Sequence, residues 1–256
     1  MKFRPCIDIH NGKVKQIVGG SLQDKNNLAV DNFVSELGAE YYARLYASHG
    51  LRGGHIILLN PAGSEYYDAD CRQAEAALTA YPQGMMIGGG IHPENAAGFL
   101  KLGASHVIVT SYVFRDGKIS FENLERMRDT VGKDHLVLDL SCRRKGVRYY
   151  IVTDRWQKFT DCVVEEETLD MLMPYCSEFL IHAVDVEGKA SGIEKDLAVL
   201  LGKWNKIPVT YAGGVGNLKD LEELRVLGQG HLDVTIGSAL DLFGGTIPFE
   251  KVIEIE

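Results

Sequence analysis

Two aspartates and two glycine pairs stand out as groups that could do chemistry. Asp8 comes just after the apolar run Pro5-Cys6-Ile7, and Asp139 follows Leu136-Val137-Leu138. A carboxylate there could cap a loop or pair with a neighbouring arginine. Two at equivalent positions favour a joint function. Acting on one small molecule from opposite sides, one can serve as general acid and the other as general base. Gly88-Gly89-Gly90 and Gly213-Gly214 each close an apolar run and precede a helical pattern. Thr110-Ser111 and Gly237-Ser238 end the next apolar runs. Backbone N–H groups in glycine-rich turns at helix N-termini are good phosphate donors. Finding the arrangement twice implies a substrate with a phosphate at each end. Trp156, a large aromatic in a polar stretch, suits stacking on a planar heterocycle. Asp185, near the end of another apolar run, is placed to position substrate hydroxyls. His182, two residues before Val184, reads as a hydrogen-bonded structural residue rather than an acid or base. The bases around Trp156 (Arg143, Arg144, Lys145, Arg148, Arg155, Lys158) fit a solvated face equally well.

These residues need a scaffold that brings distant strand ends together. Eight short β-rich runs are predicted at 3–9, 55–59, 85–88, 106–109, 135–139, 178–183, 207–212 and 231–236. Helical patterns fall between most of them, at 69–81, 93–102, 120–131, 165–175, 194–201 and 218–227. Pro93 fits a first helical turn and Asn217 an N-cap. Strands alternating with helices make a parallel α/β sheet, either open or closed. An internal repeat decides between the two. Gly90 and Gly214 are offset by 124 residues, Gly63 and Gly188 by 125, Ser111 and Ser238 by 127, and Asp8 and Asp139 by 131. Neither half can close its own sheet, so the expected fold is one (β/α)8 TIM barrel built from two half-barrels. No linker composition separates them, so residues 1–256 read as one domain. In such a barrel the first and fifth strands lie opposite each other, and so would Asp8 and Asp139. Segments 18–32 and 141–164 break the pattern and are candidates for loops over the active-site face.

Composition narrows the partners. With 27 basic and 35 acidic residues the net charge is −8, which argues against nucleic acid. Five cysteines without a C-x-x-C, and histidines without H-x-H or H-E-x-x-H, argue against a zinc site and a disulfide framework. A reduced, cytoplasmic protein is expected, with no apolar run long enough to span a membrane.

The order and spacing of these motifs resemble the ProFAR isomerases of histidine biosynthesis, the HisA family, over nearly the whole chain. The residues carrying the resemblance are Pro5-Cys6-Ile7-Asp8-Ile9 with Asn11-Gly12-Lys13-Val14, Ile87-Gly88-Gly89-Gly90-Ile91, Leu138-Asp139-Leu140, Trp156-Gln157, Ala212-Gly213-Gly214-Val215 and Ile236-Gly237-Ser238-Ala239. The stretch from Phe179 to Gly188 is similar to the fungal-type branch. The resemblance implies an Amadori rearrangement of an aminoaldose to an aminoketose, on a ribonucleotide bearing two ribose phosphates. It needs no metal, redox or organic cofactor. By the same resemblance Asp8 is the base, Asp139 is the acid, and Trp156 covers the aminoimidazole or its ribose. Internal duplication fits a monomer. Two departures stand out. Ala183 follows His182 where the bacterial pattern has a threonine, and Thr110 precedes Ser111 where it has a glycine. The alternatives are the sister cyclase, which draws ammonia from a glutaminase, and a non-catalytic phosphosugar-binding barrel. The Trp-Gln loop after the fifth strand and the two retained aspartates favour the isomerase.

Overall fold

The computed structural model describes residues 1–18 and 31–255, so most of segment 18–32 lies outside the described residues. The chain begins with β1 (Cys6–His10), β2 (Lys13–Ile17) and β3 (Asp31–Val34), followed by α1 (Ala39–Ser48), β4 (Gly54–Leu58) and α2 (Tyr67–Ala80). Next come β5 (Met85–Gly88), α3 (Pro93–Lys101), β6 (Val107–Val109), the short β7 (Phe114–Arg115) and β8 (Lys118–Ile119), and α4 (Phe121–Val131). The second half holds β9 (Leu136–Asp139), β10 (Cys142–Lys145), β11 (Arg148–Thr153), β12 (Lys158–Val163), α5 (Glu166–Leu172) and β13 (Glu178–His182). It ends with α6 (Lys195–Trp204), β14 (Val209–Ala212), α7 (Leu218–Leu227), β15 (Leu232–Thr235) and α8 (Phe249–Val252).

Eight of these strands form a parallel barrel in the order β1, β4, β5, β6, β9, β13, β14, β15. The ring closes where Arg4 N–H donates to the Val234 carbonyl at 2.8 Å and Val234 N–H to that of Lys2 at 2.9 Å. These strands are short and almost wholly buried, because helices cover the outside and side chains fill the inside. Side chains alternate in and out along each strand. Met86, Ile108, Val137, Leu180 and Ala212 form a buried apolar cluster with Ile57 against it, and this cluster fills the barrel. The alternate residues join the larger core beneath the helices. The far end is closed by polar groups. Arg4 pairs with Asp233 at 2.8 Å and with Glu178 at 3.7 Å, and Thr210 Oγ1 donates to Glu178 at 2.7 Å.

Several expectations from the sequence can be compared with these elements. Asn217 caps α7, its side chain accepting from the N–H groups of Lys219 and Asp220, and Pro93 opens α3. Helix α5 stops at Leu172 rather than 175, because Pro174 lacks an N–H and the chain tightens into a 3₁₀ turn. Helix α1 was not expected. It packs Ala39, Tyr42, Ala43 and Tyr46 inward at helical spacing. Strand β2 was also missed. It turns back antiparallel on β1, and its polar Gln16 lies buried. Segment 141–164 forms an antiparallel three-stranded sheet of β10, β11 and β12, and the residues at its β11–β12 tip line the cleft at the barrel mouth.

Candidate active site

Two cavities meet at the C-terminal end of the barrel strands. The larger, about 630 Å³, lies within the usual size of small-molecule sites, roughly 300–1,000 Å³. Asp8, Asp139, Gly89, Gly90, Thr110, Ser111 and Trp156 all line it. The narrower one is lined by Gly213, Gly214, Gly237 and Ser238. Asp8, His182 and Glu187 face both cavities and so stand between them. Asp185, expected to position substrate hydroxyls, lines neither. Its carboxylate is engaged by Arg143 Nε at 2.8 Å and the Arg144 N–H at 2.8 Å, so it ties β10 to the turn after β13.

The two glycine pairs share positive φ. Gly89 and Gly90 have φ of 96° and 68°, and Gly213 and Gly214 have 109° and 83°, a region that L side chains rarely enter. A Cβ on Gly89 would lie 2.1 Å from the Leu58 carbonyl oxygen, and one on Gly214 would lie 2.2 Å from that of Gly192. Each turn leads toward a helix, α3 or α7, and each has a serine from the next strand end in the same cavity. The cradles are not identical, and a Cβ on Gly90 would meet nothing within 4 Å. The Ser111 hydroxyl accepts from Asp154 N–H at 3.0 Å, so the tip of the β11–β12 hairpin rests on the first cradle. Three consecutive residues at that tip, Asp154, Arg155 and Trp156, have φ between 50° and 67°. This backbone carries Trp156 inward, where its ring lies 5.9 Å from that of His182 and its Nε1 donates to Ser141 Oγ at 3.0 Å.

The charge pattern differs from the one expected. Burial, then the nearby Glu187 carboxylate, pushes Asp8 from an ordinary 3.8 up to about 7, against the pull of His182 and Gln16. A carboxyl poised near neutrality suits a general base. Asp139 was expected to hold a proton as the acid. Burial favours that, but the His182 imidazolium and the Ser141 donors outweigh it and hold the carboxyl below the usual range. Asp139 Oδ1 accepts from Ser141 N–H and Oγ, both at 2.8 Å, and Oδ2 accepts from Thr110 Oγ1 at 3.2 Å. Thr110 therefore anchors a carboxylate as well as lining the cleft. Burial opposes charge on His182 too, yet Asp139, Glu187 and Asp8 together raise it from 6.5 to about 9. Its Nδ1 stands 3.6 Å from Asp139 Oδ1. His55, fully buried 6.1 Å from the His182 ring, is pushed down to about 3, first by burial and then by His182, and stays neutral.

Reading the sequence missed His182 and Glu187 as members of the site. Alternation from Leu180, which packs inside the barrel, puts His182 on the inner side too, and that signal was present. Nothing local separated Glu187 from Asp185. Among the described residues, no group of three or more His, Cys, Asp and Glu side chains is placed to hold a metal ion.

Comparison with known proteins adds an independent line. The family model described as "Histidine biosynthesis protein" matches residues 2–247. The chain is 49% identical to a chloroplastic ProFAR isomerase of Medicago truncatula, over 99% of this chain and 81% of that one. It is 45% identical to the ProFAR isomerase of Yarrowia lipolytica, over 99% of this chain and 97% of the relative. A third, from Neurospora crassa, is 47% identical over 95% of this chain and 93% of its own.

Proposed function

From the premise that this chain belongs to the histidine biosynthesis protein family, we infer that it is an aldose–ketose isomerase acting on ProFAR. The observation that carries the reading is near-full-length similarity to ProFAR isomerases in a barrel whose mouth has two like glycine–serine cradles. ProFAR carries a phosphate at each end. We assign one to Gly89, Gly90 and Ser111 and the other to Gly213, Gly214, Gly237 and Ser238. The reacting ribose then lies between them, against Asp8 on one side and the Asp139–His182 pair on the other. Protonation of the ribose ring oxygen breaks its bond to C1, and the nitrogen lone pair forms the iminium. Asp8 removes the C2 proton, and the resulting enaminol tautomerises to the ketose. Trp156 stacks on the aminoimidazole or its ribose and keeps water off the iminium. We also read the chain as one barrel domain working as a monomer in the cytoplasm. That reading is supported by ring closure within one chain and by free cysteines at 6, 71, 142, 162 and 176. Among the described residues no helix is long and apolar enough to cross a membrane.

The test is turnover by the purified protein alone. With ProFAR, near-ultraviolet absorbance and chromatography should report an isomer of unchanged mass. A protein that leaves ProFAR untouched, yet converts the aminoketose when ammonia is added, is the cyclase instead.

A further inference from the structure

Most of the acceptor capacity of Asp139 is taken by neighbouring donors, and the consequence falls on His182. Three hydrogen bonds from Ser141 and Thr110 converge on the Asp139 carboxylate, and the His182 ring stands beside it. Donors aimed at a carboxylate favour its ionised form, so a proton is held there less readily. The nearest group that can carry one is His182. Its Nδ1 is shut away from solvent with no hydrogen-bond partner, 3.6 Å from Asp139 Oδ1. The side chain as a whole is 12% exposed, so its exposure lies on the rest of the ring, which borders both cavities. Trp156 lies 5.9 Å away and His55 6.1 Å away, so the ring is walled in on two further sides.

We propose that His182, held as an imidazolium by Asp139, is the acid that protonates the ribose ring oxygen, and that Asp139 is its positioning counter-ion. The inference rests on the isomerase reading and deepens it. The Nε2–H bond breaks as the proton passes to the ring oxygen. That oxygen keeps the electron pair of the broken C1–O bond, and the substrate nitrogen supplies the pair for C=N. Asp8 takes the proton from C2, whose electrons form the enaminol double bond. In the tautomerisation C1 gains one proton and the 2-hydroxyl loses one. The proton on Asp8 and the one from the hydroxyl thus restore C1 and the imidazole, with no net change. The charged groups facing His182 are Asp8 on β1, Asp139 on β9 and Glu187 after β13, and His55 on β4 faces it neutral. Asp139, ionised and 3.6 Å from Nδ1, is the close counter-ion, while burial pushes Asp8 and Glu187 toward their protonated forms and leaves them a weaker pull.

Two measurements test this. In free wild-type enzyme carrying ¹⁵N-histidine, NMR should find both His182 nitrogens protonated at pH 7.5, titrating near pH 9. Asp139→Asn should move that titration down by at least one pH unit. In steady-state assays with ProFAR, His182→Gln and His182→Asn should lower kcat by about 10²–10⁴-fold with KM changed little, the usual worth of a general acid. The alkaline limb of the pH–rate profile should vanish in both. A neutral His182 at pH 7.5 overturns the proposal, and so does an alkaline limb that persists unchanged in an active variant. The wild-type NMR answers even where a variant fails to fold. Failure of the isomerase reading looks different, because the wild type then leaves ProFAR unchanged whatever the state of His182.

Discussion

Asp8→Asn should cost activity and add stability, and the gain should grow with pH. In the folded chain Asp8 titrates at about 7 against 3.8 for an ordinary aspartate, through burial and the Glu187 charge. The sign follows from linkage. Below pH 3.8 both folded and unfolded chains hold the proton, and the group contributes no penalty. Between 3.8 and 7 the unfolded chain releases it while the folded chain keeps it, so folding weakens as pH rises. Above 7 both are ionised and the penalty is constant. At 1.36 kcal/mol per pH unit, the 1.5 units from pH 5.5 to 7 come to about 2 kcal/mol. That is a ceiling, because Asp8 opens onto the cleft and water screens it. Asparagine is isosteric and cannot ionise, so it removes this slope. For a chain of this length about 1 kcal/mol moves Tm by roughly 2–4 °C. The variant's Tm advantage over wild type should therefore be larger at pH 8.5 than at pH 5.5, by at most about 4–8 °C, by scanning calorimetry in matched salt. An advantage equal at both pH values, or a variant less stable at pH 8.5, would refute the claim that Asp8 is held protonated by its surroundings.

Further outcomes follow from the same site. Asp8→Asn should lower kcat by about 10²–10⁴-fold in steady-state assays with ProFAR affinity nearly kept, and Asp139→Asn should lower kcat and move the alkaline limb of the pH–rate profile down. The wild-type pH–rate profile should be bell-shaped, rising through about 7 as Asp8 ionises and falling through about 9 as His182 loses its proton. Gly214→Ala puts a Cβ 2.2 Å from the Gly192 carbonyl and should raise KM at least about tenfold by distorting a phosphate turn. Gly90→Ala meets no atom within 4 Å, so it should fold with only the backbone penalty of about 1 kcal/mol and a smaller rise in KM. Exhaustive dialysis against EDTA should leave turnover intact, and loss restored by a divalent ion would contradict the acid–base account.

The barrel was legible because eight strands and a repeat of about 125 residues repeat one local pattern. Both glycine cradles could be found the same way, since each is a short stretch of chain with a demanding backbone. Helix α1 escaped because Gly38 offers no side-chain cap and its buried face is made of Ala and Tyr, which give little apolar contrast. Strand β2 escaped because Lys15 and Gln16 look like surface residues and are buried only by what folds over them. The protonation pattern was beyond reach for a deeper reason. Asp139 and His182 lie 43 positions apart, and Asp8 and Glu187 are far more distant, so which carboxyl keeps a proton depends on contacts that exist only once the ring has closed. Asp185 looked as good a site residue as Glu187, and only Arg143 and the Arg144 backbone, arriving from β10, distinguish them.

The most direct test of the site is a crystal structure of Asp8→Asn with ProFAR, which that variant should bind without converting. One phosphate should rest on Gly89, Gly90 and Ser111 and the other on Gly213, Gly214 and Ser238. The ribose ring oxygen should face His182 and Asp139, and C2 should face residue 8. A substrate with only one phosphate in these cradles, or a ribose turned away from both residue 8 and His182, would contradict the account.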